Sequence, residues 1–121
     1  MWPDHPQRLA RLRAAIEVAR RAPPELVVSD LRHALPDLLA GLPAEMTCCL
    51  FHSAALNQLQ PAERDEVDRQ LLAASSDRQI HRVAAEFEQL TWHLYAGGRT
   101  HTQRVLASFD PHGRWLRWNA G

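Results

Sequence analysis

The residues best suited to chemistry are His52 and Ser53, which end the apolar run 47–51. Histidine titrates near neutral pH and can act as a general base, a general acid or a metal ligand. A serine next to it is not thereby a nucleophile, because neighbouring side chains on a strand point to opposite faces. There is also no G-x-S-x-G turn. We predict His52 as the catalytic candidate and Ser53 as a substrate contact. The alternatives are a hydrogen-bonded structural histidine and a serine that caps a turn or helix.

Four more residues are candidates for binding a substrate or cofactor. Asp30 either contacts a ligand or caps the next helix. Glu86 lies in an apolar segment, where a buried carboxylate needs a partner or a raised pKa. His112 lies in an Asp-Pro-His-Gly turn and can be a turn residue only. Trp115 and Trp118 lie on opposite faces of a predicted strand, and one of them is expected to belong to the core; the alternative for Trp115 is stacking on a ligand.

No metal site is expected. His52, Glu86 and His112 could form a two-histidine, one-carboxylate set, but their spacing matches no ligand signature. Cys48 and Cys49 are adjacent, form no CxxC pair and are expected to be buried thiols in a reducing cytoplasm. The other histidines are expected to be scattered and exposed: His5, His33, His81, His93 and His101.

Composition describes an ordinary globular chain. The 121 residues suit a single domain, 1–121, and the formal net charge of zero gives no global attraction to nucleic acid or anionic membrane. No apolar run approaches the ~20 residues of a membrane span. The start lacks the pattern of a secretion signal, so we expect a cytoplasmic protein.

The first part of the chain, 1–78, alternates helix and strand signals. After an N-terminal loop over 1–6, Leu9, Leu12 and Ile16 recur at helical spacing. The remaining signals predict a buried strand over 25–30, a helix over 35–42, a central strand over 47–53 buried on both faces, and a helix that starts near Pro61 and closes at 75–77.

The second part, 79–121, changes to strand signals. Strands are predicted over 79–87, 91–96, 100–109 and 114–118, with turns at Gly97-Gly98 and at residues 110–113. The whole pattern predicts an α/β fold. Its sheet is parallel in its first part, with helices, and has an antiparallel C-terminal hairpin edge.

The order of several motifs resembles an uncharacterised bacterial domain-of-unknown-function family (family 2332). The matching segments are Trp2-Pro3-Asp4-His5-Pro6 through Ile16, Pro23-Pro24, Asp30, Phe51-His52-Ser53-Ala54 with Leu59, Glu86, Gly97-Gly98 and the ending from Asp110 to Trp118. The resemblance implies the C-terminal half of a Rossmann-like, methyltransferase-like domain. By that analogy Asp30 would face the cofactor adenine, and His52 and Ser53 would lie on the substrate side.

The glycine-containing half of such a domain has no counterpart here, since nothing matches G-x-G-x-x-G. We therefore expect no cofactor for this chain alone; S-adenosylmethionine enters by the analogy only. Strand 26–29 must then pair directly with strand 47–52, or strands must come from another chain. The expected partner is a second copy or a missing N-terminal half.

Two functions remain open. The first is the C-terminal part of a methyltransferase-like domain with a small-molecule site at the strand carboxyl ends. The second is a non-catalytic assembly module that dimerises through an exposed sheet edge. Whether the chain is an enzyme stays open, and a hydrolase has only His52 and Ser53 in its favour.

Overall fold

The computed structural model describes residues 6–119, which form one mixed sheet and the helices that accompany it. In chain order the elements are α1 (Pro6–Arg21), α2 (Leu31–Gly41), β1 (Cys48–Ser53), a short 3₁₀ helix (Leu56–Gln58), α3 (Pro61–Ala74), β2 (Ile80–Glu86), β3 (Gln89–Ala96), β4 (Arg99–Phe109) and β5 (Leu116–Trp118). The α/β class is confirmed. His5 and the predicted N-terminal loop, apart from Pro6, lie outside the described residues.

The strands lie in the sheet in chain order, β1-β2-β3-β4-β5. β1 and β2 are parallel and are connected through α3, whereas every later pair is antiparallel. The predicted change from a parallel to an antiparallel part is therefore confirmed. Gly97 and Gly98 form the two-residue turn between β3 and β4 with φ of 57° and 70°, values that glycine adopts without strain.

β1 is an edge strand, so the prediction of a central strand buried on both faces is wrong. Only Cys48 in it is buried, and Phe51 is 64% exposed. β2 flanks one side of β1, and no other strand lies beside it between residues 6 and 119. A short apolar run has the same composition at an edge and in a centre, because its neighbours come from distant sequence.

The strand predicted over 25–30 does not form. This segment is an extended, exposed connection, in which Val28 is fully exposed, and it does not pair with β1. The physical reason is that a strand needs a neighbour for its backbone groups, and none reaches this segment. Asp30 instead caps α2, which begins at Leu31, before the predicted residue 35.

The core lies between α2, α3 and the inner face of the sheet. Its buried members are Leu35, Leu39, Cys48, Leu56, Val67, Leu71, Ile80 and Tyr95. The predicted α1 exists, but it buries no residue, and its apolar stripe remains partly exposed. α2 contains Pro36, which cannot donate to the Arg32 carbonyl one turn earlier; Gln70 of α3 donates its Nε2–H to that carbonyl at 2.9 Å.

Candidate functional site

Glu86, the last residue of β2, organises the backbone that follows β1. It is 8% exposed, and its Oε1 accepts from the Ala55 amide at 2.8 Å and the Leu56 amide at 3.1 Å. Its Oε2 accepts from the Asn57 amide at 3.3 Å. Burial by itself would raise the pKa of Glu86, but the hydrogen bonds from His52 and these amides outweigh it and hold that pKa below its ordinary value. The carboxylate is thus charged at neutral pH and closes the turn.

His52 lies between two charged side chains that occupy both of its ring nitrogens. Nδ1–H donates to Glu86 Oε1 at 2.8 Å, and Nε2 accepts from Arg82 Nε–H at 2.9 Å. This pairing defines a neutral ring with its proton on Nδ1. His52 has no free nitrogen with which to take a substrate proton, so the geometry favours the hydrogen-bonded structural role.

Arg82 extends the network into α3 and β3. It is buried, and its Nη1 donates to Asp68 at 2.5 Å and to the Tyr95 hydroxyl at 3.2 Å. Burial is the main cause of a raised Tyr95 pKa. Burial, together with the charge of Arg82, lowers the pKa of His93. The polar chain from Glu86 to Asp68 therefore connects three strands and one helix behind the edge strand.

Sequence reasoning missed Arg82, Asp68 and Tyr95. The signal for Arg82 was present, since strand alternation places it on the same face as buried Ile80 and as Glu86. Two opposite charges on one buried face indicate an internal ion-pair network. The positions of Asp68 and Tyr95 depend on packing between separate elements, which the alternation does not reveal.

Ser53 points away from this network and lines a cleft of about 280 Å³ at the carboxyl ends of β1 and β2. Ala54, Ala85, Phe87 and Phe109 contribute to its walls. Ala54 has φ of 51°, a left-handed conformation that is strained for a residue with a side chain. A cleft thus lies where a ligand is expected in an open α/β sheet. His52 does not line this cleft, because neighbouring side chains on a strand point to opposite faces of the sheet.

Asp30 does not join this site. Its carboxylate accepts from the Arg32 amide at 2.9 Å and from the Arg32 guanidinium, which together hold the pKa of Asp30 well below its usual range. The helix-cap alternative describes this position.

His112 and Trp115 lie in the turn that leads to β5, and neither is a hydrogen-bond partner of His52. His112 is exposed; its amide donates to Asp110, and its carbonyl accepts from Arg8. Trp115 is 50% exposed and Trp118 is 60% exposed, so the prediction that one of them belongs to the core is wrong. The three-residue β5 is too short to provide a covered face.

His52 and Glu86 are thus the two predicted site residues that the fold brings together. Within the described residues, no group of three or more His, Cys, Asp or Glu side chains is arranged to hold a metal ion. Both cysteines are free; Cys48 is buried, which raises its thiol pKa, whereas Cys49 is exposed, contrary to prediction. His81 and His93 are half-buried rather than exposed. None of the described helices is long and apolar enough to cross a membrane.

Fold and site together define an α/β protein with a mixed sheet, a polar network behind an open edge strand and a cleft at that strand's carboxyl end. The chain belongs to the bacterial family described as "Uncharacterized protein conserved in bacteria (DUF2332)", which matches residues 1–118. No curated protein matches the chain, and no solved structure does.

Proposed function

We propose that this chain is an assembly module that pairs with a second copy through β1 and so presents the Ser53 cleft at the interface. The observation that carries the proposal is the open edge of β1. Within residues 6–119, its six residues pair in unbroken register with residues 80–85 and have no strand on their other side.

The edge lacks the features that usually prevent strand pairing. β1 reads Cys-Cys-Leu-Phe-His-Ser, with no proline and no permanently charged side chain, and no bulge interrupts its register. Proteins commonly protect edges with prolines, charges, bulges or short length. The opposite edge, β5, has three residues and carries Arg117. An unprotected six-residue edge therefore favours addition of another strand.

A second copy fits this edge by symmetry. Two β1 strands related by a twofold axis run antiparallel, so each supplies the same backbone groups to the other. Phe51 and Cys49 project from the uncovered face of β1 and would add apolar contact beside the backbone pairing. The Ser53 cleft adjoins the same strand, so pairing would place the partner beside one of its walls.

The test is the oligomeric state, measured by sedimentation velocity over a concentration series. We expect a dimer for the unaltered chain and a monomer for Phe51→Lys, because a lysine on an edge strand opposes pairing. The matched control is Trp118→Lys, which changes a similarly exposed aromatic residue on the opposite edge and should leave the dimer intact. Circular dichroism checks that both variants fold.

A monomeric unaltered chain at every concentration contradicts the proposal. So does a result in which Trp118→Lys, rather than Phe51→Lys, dissociates the dimer.

A methyltransferase-like small-molecule role is the second candidate, favoured by the position of the Ser53 cleft at the strand carboxyl ends. We expect no measurable binding of S-adenosylmethionine to this chain by calorimetry, because it has no G-x-G-x-x-G turn between a strand and a helix. Binding that Ser53→Trp abolishes would instead support a complete cofactor site on this chain.

A further inference from the structure

A second cavity lies between α3 and the inner face of the sheet, apart from the Ser53 cleft. Its volume is about 180 Å³. The residues that matter for its chemistry are Leu56, Arg64, Asp68, Arg82, Glu86 and Phe87. It thus combines an apolar part with two cations and two carboxylates.

The carboxylates of this cavity already have partners. Asp68 accepts from Arg82, and Glu86 accepts from three backbone amides and from His52. Both carboxylates are therefore already satisfied as hydrogen-bond acceptors inside the protein. A cationic ligand would have to displace one of these internal contacts.

Arg64 is the charged side chain of this cavity that has no hydrogen-bond partner among residues 6–119. It forms no ion pair within the described part of the chain, and its Nε is buried without a hydrogen-bond acceptor. An unpaired buried donor is destabilising, so such groups are rare in folded proteins. The guanidinium carbon lies 5.2 Å from the centre of the Phe87 ring, a contact that holds the cation without supplying an acceptor.

Arg82 offers a second donor from the sheet side of the cavity. Its Nε and Nη1 are engaged by His52, Asp68 and Tyr95. Its Nη2 makes no hydrogen bond to any described residue. The two arginines thus approach the cavity from α3 and from β2.

The backbone at Phe87 is strained. Phe87 and Glu88 form a two-residue hairpin turn with φ of 49° and 64°. Such turns favour asparagine and glycine, and a bulky residue there is strained. The other two-residue hairpin of this chain uses Gly97-Gly98. At this strained position the Phe87 ring contacts the Arg64 guanidinium beside the cavity.

We propose that this cavity binds a small organic monocarboxylate. The carboxylate accepts from the guanidinium groups of Arg64 and Arg82, and a short apolar chain contacts Leu56 and Phe87. An engineered apolar cavity of about 150 Å³ holds benzene, so this cavity suits a ligand of about six or seven non-hydrogen atoms. A four-carbon carboxylate such as butyrate has this size and charge.

The test follows the Arg64 Nε–H resonance by proton–nitrogen NMR while sodium butyrate is added at constant ionic strength. We expect a saturable shift of that resonance. Butyramide, which has the same shape without the charge, should bind at least tenfold more weakly. Inorganic phosphate should also bind more weakly, because it has no apolar part for Leu56 and Phe87.

Arg64→Met should weaken butyrate binding at least tenfold, followed by the backbone amide shifts of residues 84–91. The matched control is Arg69→Met, which removes an exposed arginine of the same helix and should leave the affinity unchanged. Circular dichroism checks that both variants fold. If Arg64→Met does not fold, the Arg64 resonance of the unaltered protein decides the question.

Three results would overturn the proposal: no saturable butyrate shift at Arg64 Nε–H, equal binding of butyramide, or tighter binding of phosphate than of butyrate. Unchanged butyrate affinity in folded Arg64→Met would overturn it as well. None of these results depends on the oligomeric state, so failure here is distinguishable from failure of the β1 pairing.

Discussion

Replacing Glu86 with alanine should destabilise this protein more than any other change to an acidic residue described above. The substitution leaves four donors without their acceptor: the amides of Ala55, Leu56 and Asn57, and His52 Nδ1–H. Ala55 and Asn57 are exposed residues, so water can replace the carboxylate at their amides. Leu56 N–H and His52 Nδ1–H are shielded and bear the main cost.

Each shielded donor left unpaired costs about 1–3 kcal/mol, which gives about 4 kcal/mol for the two together. Glu86→Gln keeps one acceptor oxygen but turns an NH₂ group towards one of the donors, and about half of the loss is expected for it.

The free energy of unfolding is measured by urea denaturation followed by circular dichroism. Glu45→Ala is the control, because Glu45 is exposed and its loss should change stability by less than about 0.5 kcal/mol. A loss below about 1 kcal/mol for Glu86→Ala would refute the view that this carboxylate organises the turn after β1.

The same residue predicts a pH dependence. The pKa of folded Glu86 is lowered, so the unfolded chain binds its proton more readily than the folded one does. Its stabilisation is therefore fully present above the unfolded pKa of about 4.3 and is lost as the pH falls towards the lower folded value. Glu86→Gln should remove this part of the acid sensitivity, measured by urea denaturation across that pH range.

Three further outcomes are expected. The pKa of His93 is lowered, so its neutral form favours folding, and the free energy of unfolding should decrease as the pH drops below about 6.5. In His93→Gln, urea denaturation should show a smaller decrease over the same pH range. Glu88→Gly should stabilise the protein by about 0.5–1 kcal/mol in thermal unfolding, because glycine relieves the left-handed strain at an exposed position; a loss of stability would contradict the turn assignment. Gln70→Ala should cost about 1 kcal/mol in urea denaturation, since it leaves the Arg32 carbonyl without the donor that replaces the Pro36 amide; an unchanged stability in this variant would argue that water serves this carbonyl equally well.

Much of the local structure could be predicted from short-range patterns. Pro61 at the start of α3 and Gly97-Gly98 between β3 and β4 each specify a backbone conformation within a few residues. The alternation along β2 likewise placed Glu86 on a defined face. These signals predicted the order of elements from α3 to β5 and the requirement that Glu86 have a partner.

The errors concern properties that depend on neighbours distant in sequence. The apolar character of residues 25–30 indicated a strand, but no strand edge reaches them, and they remain exposed. Phe51 looked buried because its residue type favours burial, yet β1 has a neighbour on one side only within the described chain.

The sequence by itself determined the α/β class, the turn at Gly97-Gly98 and the start of α3 at Pro61. It also determined that a carboxylate in an apolar strand needs a hydrogen-bonding partner. Only the tertiary structure decided that His52 is that partner and that Arg82 occupies its other nitrogen. It also decided that Arg64 lies above Phe87, with no acceptor for its Nε–H among the described residues. The physical reason is the distance along the sequence over which each interaction acts. Backbone preferences and side-chain periodicity act over a few residues, whereas a ring nitrogen's role, a charge's partner and a strand's place in the sheet depend on which distant segments pack against it.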